Sequence, residues 1–189
     1  MKSVDVTLQI LERLLSESVE GSEIHVFDFD DTLVKTNSKI YLTSRDEIGN
    51  EVKHVLTPRE YAQYKRQDGD VFDYSDFEQV IEPQPVQSTM LNLRMAIQDF
   101  GEKNVFILTA RGNPGPVREF LNSQGVPNIR IFAVGTSDPR AKAKVIEDEV
   151  LSRGIKRVKF YDDASKNITA VRALREDLPG VEIIAVKVG

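Results

Sequence analysis

The chain has 189 residues, 40% of them hydrophobic, enough for one good core with a modest insertion and too few for two full-sized catalytic domains. Its formal net charge of −5 excludes a general attraction for nucleic-acid backbones or anionic membranes. It contains no cysteine and two histidines, so disulfides and thiolate metal sites are excluded and any metal must be held by oxygen or histidine, which favours a hard cation such as Mg²⁺.

In chain order, residues 6–15 carry apolar side chains at helical spacing, interrupted by Glu12 and Arg13. They predict an amphipathic helix rather than a signal-peptide core. No segment approaches the roughly 20 apolar residues of a membrane span, and a cytoplasmic protein with no membrane partner is expected. Strands are predicted at 24–27, 105–108, 129–134, 158–161 and 181–188, each a short run rich in β-branched and aromatic residues. Helices are predicted at 85–100, 116–124, 139–153 and 164–178. Asp138-Pro139 supplies a capping carboxylate followed by a proline at the first helical position, and Gly101, Gly125 and Gly154 supply stops. This alternation predicts an α/β fold, a parallel sheet sandwiched by helices. The catalytic core is then 1–32 and 85–189, with a small insertion at 33–84 after the first strand. Within the insertion, 39–43 and 51–56 pair as a hairpin across 46–50. A short helix follows from the capping signal Thr57-Pro58-Arg59-Glu60 through Lys65.

The chemistry clusters where strands end. The first strand runs into Asp28-Phe29-Asp30-Asp31-Thr32, three acids that are electrostatically costly together unless a cation offsets them. The second ends in Thr109-Ala110-Arg111, the fourth in Asp162-Asp163, and Lys142 lies in the first turn or so of the helix starting near Pro139. In a parallel sheet the strand C-termini and the following helix N-termini share one edge, so the four groups converge there.

In order and spacing these residues resemble the four motifs of haloacid dehalogenase superfamily phosphatases, from Ile24 to the C-terminus apart from the insertion. The resemblance implies a Rossmann-like core and a cap at the insertion. It also implies a Mg²⁺-dependent phosphomonoester hydrolase working through an aspartyl-phosphate. Asp28 is then the nucleophile and Asp30 the general acid and base. Thr109 and Lys142 hold the phosphoryl oxygens. Asp28, the carbonyl of Asp30 and an acid from Asp162-Asp163 bind the metal, and Thr32 and Arg111 are candidate substrate contacts. The family often places a further acid four residues after its metal-binding Asp. Here Asn167 stands four after Asp163, a register that favours Asp163 as the direct ligand with Asp162 in support, and the missing charge bears on metal affinity.

Some assignments stay open at this level. Lys142 and Lys144 are two apart on a helix and cannot both face the site; Lys142 is favoured as nearer the helix start. Arg111 either touches substrate or caps the loop before Pro114. His25 belongs to the interior of the first strand and His54 to the surface. The insertion mixes aromatic and basic residues that could hold a nucleotide. Yet acidic residues outnumber basic ones there by ten to seven, which fits a small core with a solvated face. Candidate substrates are therefore small phosphorylated metabolites, nucleotides and nucleic-acid ends. The rival readings are a phospho-dependent switch and an inactive phosphate-binding module. P-loop chemistry is excluded for want of its signature.

Overall fold

The structure, a computed structural model, describes residues 22–189; the helix predicted at 6–15 lies outside the described residues. In chain order it contains strands β1 (Glu23–Phe27), β2 (Val34–Lys35), β3 (Ile40–Arg45) and β4 (Glu51–Leu56), helix α1 (Pro58–Gln63), then β5 (Val71–Asp73) and β6 (Gln84–Pro85). There follow α2 (Gln87–Phe100), β7 (Val105–Thr109), α3 (Gly115–Ser123), β8 (Arg130–Ala133), α4 (Pro139–Arg153), β9 (Arg157–Asp162), α5 (Ser165–Asp177) and β10 (Glu182–Lys187).

Five strands form one sheet in the order β10-β9-β1-β7-β8, every pairing parallel. β1 and β7 are buried at every position; β7 accordingly opens as an unbroken apolar run, whereas β1 sets the polar Glu23 and His25 between its apolar residues. Successive side chains still leave opposite faces. Ile24 and Val26 join Ile146, Val150, Ile168 and Val171, from α4 and α5, in one core cluster. Phe27 joins Leu93, Val117 and Leu121, from α2 and α3, in a second cluster on the other face. Two helices therefore cover each side, and truncating a fully buried ring such as Phe160 to alanine in cores of this kind costs about 3–5 kcal/mol.

From β1 the chain builds β7 and β8 on one side and then crosses to build β9 and β10 on the other. The crevice where the winding reverses opens at the C-terminal ends of β1 and β9.

Helix α4 has the predicted limits: Asp138 accepts the Arg140 N–H, Pro139 opens the helix, and Gly154 closes it at φ 66°. Helix α2 starts two residues later than predicted because Gln84 and Pro85 pair with Lys35 and Val34 instead. This β2–β6 ribbon closes the neck of segment 33–84. Inside that segment Ile40 pairs with Leu56 and Arg45 with Glu51, so the predicted hairpin forms, shifted at one strand. A third strand, β5, joins β3 from the other side and was not predicted; three residues bounded by Asp70 and ending in Asp73 carry little strand signal. The capping box of Thr57 and Glu60 is present, but α1 ends at Gln63 because Tyr64 is extended, at ψ 131°. No helix among the described residues is long and apolar enough to cross a membrane.

Candidate active site

The turn after β1 is made by backbone bonds. Leu33 and Val34 N–H groups donate to the Phe29 carbonyl, and the Asp31 N–H donates to Val34. Asp31 takes φ 57° to make it, a left-handed conformation that aspartate tolerates better than most residues. These bonds consume the carbonyls of Phe29 and Val34, not that of Asp30. Asp28 itself is 5% exposed, and its N–H is held by Tyr161 of β9 at 2.9 Å.

Two side chains then hold the Asp28 carboxylate. Lys142 Nζ lies 2.6 Å from Asp28 Oδ1 and 2.8 Å from Asp162 Oδ2, bridging the ends of β1 and β9. The Thr32 hydroxyl donates to Asp28 Oδ2 at 3.1 Å while accepting the Asp163 N–H at 3.0 Å. Lys142 is 3% exposed, whereas the Lys144 side chain is 63% exposed and pairs with Glu147 and Asp148 along its own helix, so the choice between the two lysines falls on Lys142. Thr109 is fully buried at the end of β7, and its hydroxyl accepts the Arg111 N–H.

Asp162 and Asp163 divide their work. Asp162 is fully buried and saturated by donors: the Asn167 amide on both oxygens, the Ala164 N–H and Lys142. No side-chain hydrogen bond to the Asp163 carboxylate occurs among the described residues, which leaves it the better placed of the two to ligate a cation. Asn167, in the position where the family often has a further acid, thus holds the Asp162 carboxylate through its amide.

Two expectations are corrected. Thr32 was a candidate substrate contact, but it is fully buried and braces Asp28 against the β9 loop. Arg111 was expected to touch substrate or cap the following loop. Instead it is 3% exposed and its donors are committed. Nε and Nη2 hold both Asp30 oxygens at 2.9 and 2.8 Å, and Nη1 donates to the carbonyls of Phe77 and Gln79 in segment 33–84. The guanidinium lies against the Phe29 and Phe77 rings. Asp30 keeps a partly open carboxylate, 22% exposed, with a further lone pair on each oxygen. A second tie runs alongside, from the Asn113 amide to Glu78 at 2.6 Å. No signal in the sequence connects Arg111 to Phe77 and Gln79, because both acceptors are backbone groups that any residue supplies.

The other two sites behave as expected. His25 is buried, 2.9 Å from Glu23 and against the Phe100 ring, and His54 on β4 meets the Ser44 hydroxyl.

The electrostatics are those of a crowded acid cluster. Burial pushes the Asp28 carboxyl up to about 8, with Lys142 opposing and Asp162 adding to the rise. Burial, then Asp162 and Asp31, push Asp163 up to about 6. Lys142 is raised because its two carboxylate partners outweigh its own desolvation. One lysine against three acids leaves the cluster short of positive charge. Asp28, Asp162 and Asp163 each offer an oxygen within 4.8 Å of the others. In an octahedral Mg²⁺ shell neighbouring oxygens stand about 3.0 Å apart and opposite ones about 4.2 Å, so the three side chains would draw closer together to share that ion.

Comparison with protein-family models, with curated proteins and with solved structures returns no match for this chain.

Proposed function

We propose that the chain is a Mg²⁺-dependent phosphomonoester hydrolase of the haloacid dehalogenase type, with segment 33–84 as its cap. The observation that carries this reading is Lys142, buried and bridging Asp28 and Asp162 at 2.6 and 2.8 Å on the edge that Thr109 and Asp163 share. A structural ion pair would need one acid. A lysine held between two acids, beside a third that takes no side-chain donor, suits a site that must receive both a cation and a phosphate.

Asp28, Asp163 and the Asp30 carbonyl would hold the metal, with Asp162 anchoring Lys142 behind them. Bound Mg²⁺ supplies positive charge against the dianionic ester and the acid cluster. Asp28 attacks phosphorus and the ester oxygen leaves, forming an aspartyl-phosphate on Asp28. Lys142 and the Thr109 hydroxyl steady the phosphoryl oxygens as charge shifts among them. Asp30, positioned by Arg111, takes a proton from solvent on an oxygen that Arg111 releases as the ester binds, gives it to the leaving oxygen, and then takes one from the water that releases phosphate.

The test is hydrolysis of p-nitrophenyl phosphate. Turnover is expected with Mg²⁺ and is lost in EDTA. Asp28→Asn should be inactive while keeping the wild-type circular dichroism spectrum. Unchanged turnover in EDTA, or in folded Asp28→Asn, would exclude this mechanism.

A further inference from the structure

Outside the acid cluster, a group of cations gathers around Ser137 and Asp138, the two residues that lead into α4. In segment 33–84, the Arg66 guanidinium donates to the hydroxyls of Tyr61 and Tyr74, which lie 2.9 Å from each other, and packs on the Phe72 ring at 4.7 Å. The Tyr61 hydroxyl also lies within interaction reach of the Ser137 side chain. That contact brings the cluster against the loop between β8 and α4. Arg140 pairs with Asp138 at 2.7 Å with its side chain 88% exposed, and Lys166, at the start of α5, acts electrostatically on the same Asp138.

Two features separate this group from ordinary surface charge. First, Arg66 is fixed by phenol oxygens and meets no carboxylate among the described residues, so its charge is oriented yet uncompensated. Second, Arg140 and Lys166 both act on the one acid Asp138, so cations outnumber acids at the start of α4. The place is also specific. Ser137 precedes the N-cap of α4, five residues before Lys142, and Lys166 follows Asp163 by three residues. Both loops belong to the edge that carries Asp28.

We propose that this rim binds a second phosphate of the substrate, carried beyond the scissile monoester, and that the ring of the exposed Tyr74, with Tyr61 beside it, lies next to the attached base. A fixed guanidinium flanked by hydroxyls is a phosphate receptor, and neighbouring aromatic rings tolerate any base. The substrate class is then a nucleotide with two separate phosphates or a phosphorylated oligonucleotide end. This rests on the phosphatase reading of Asp28.

The experiment compares kcat/KM for adenosine 5′-monophosphate, adenosine 3′,5′-bisphosphate and a 5′-phosphorylated trinucleotide, with Mg²⁺ and the full chain. One of the two larger substrates should exceed the monophosphate by about tenfold or more, the scale of a charge-assisted contact. Preference for the bisphosphate points to a small molecule, and preference for the trinucleotide alone points to a nucleic-acid end. Arg66→Gln should bring that ratio close to one, and Arg66→Lys should keep part of it. A wild-type ratio near one overturns the proposal. So does an Arg66→Gln protein in which all substrates fall by the same factor, the result expected if Arg66 only holds the aromatic rings together. If no ester turns over, the phosphatase reading fails separately. Calorimetric titration with the same three ligands then decides the rim: equal affinities overturn it, and a preference lost in Arg66→Gln upholds it.

Discussion

Arg111 joins the candidate acid Asp30 to the backbone of residues 77 and 79, and does so with a planar fork that lysine cannot imitate. Arg111→Ala leaves a carboxylate and two carbonyls without a donor, which should destabilise the fold by about 3–5 kcal/mol in urea denaturation. Arg111→Lys keeps the charge and loses the two-oxygen grip. It should lower kcat by about tenfold or more for an alkyl phosphate, whose leaving oxygen needs a proton. The loss should be smaller for p-nitrophenyl phosphate, whose leaving group does not. Equal losses for both esters would show that Arg111 does not act through Asp30. At this scale the sequence was legible where chemistry is local to a strand end: Asp28, Lys142 and the Asp162-Asp163 pair meet where the motifs put them. Thr32 and Arg111 were misread because their roles depend on who lies across the turn. Convergence of the strand ends brings Arg111 near Asp30, 81 residues earlier, but does not show that it also takes the carbonyls of Phe77 and Gln79.

Elements were legible in proportion to their punctuation. Helix α4 has Asp138-Pro139 before it and Gly154 after it, and its limits were read without error. The start of α2 has no such cap, and the competing pairing of Gln84 and Pro85 decided it. In the β3–β4 hairpin, the turn depends on one side chain. The Asp46 carboxylate accepts the N–H groups of Ile48 and Asn50 and the Asn50 amide, and those bonds, led by Asn50, hold its pKa below the usual carboxylate value. A depressed pKa means stability that is present above the unfolded value of 3.8 and lost as pH falls through the folded one. Protection of the Ile48 and Asn50 amides, taken relative to their intrinsic exchange rates, should therefore fall at acid pH before that of the buried β1 and β7. Asp46→Ala should show the same loss of protection already at pH 7. Unchanged protection in that variant would mean the strands alone fix the turn.

For the whole molecule, the parallel sheet brings strand ends together and so concentrates acids on one edge, a cost that a bound cation would relieve. The sign follows from Asp28 and Asp163, whose folded pKa values of about 8 and about 6 lie above the ordinary 3.8. Groups raised in this way bind more protons folded than unfolded, so they favour folding while protonated and oppose it as pH rises. Stability of the metal-free protein should accordingly fall across the window from about pH 4 to 8. Metal binding runs the other way, because the ligands must be deprotonated to accept the ion. Mg²⁺ at about 100 times its Kd contributes about 2.7 kcal/mol, which for a chain of this size raises Tm by about 5–10 °C. The expected result of thermal melts is a lower Tm at pH 8 than at pH 5 in EDTA, and a rise with Mg²⁺ that is large at pH 8 and small at pH 5. Asp163→Asn should raise the EDTA melting point at pH 8 and remove most of the response to Mg²⁺, since it deletes one acid from the cluster and one ligand together. Identical melting of the wild type in EDTA and in saturating Mg²⁺ at pH 8 would exclude a divalent ion among Asp28, Asp162 and Asp163. It would leave Lys142 as the cluster's whole compensation.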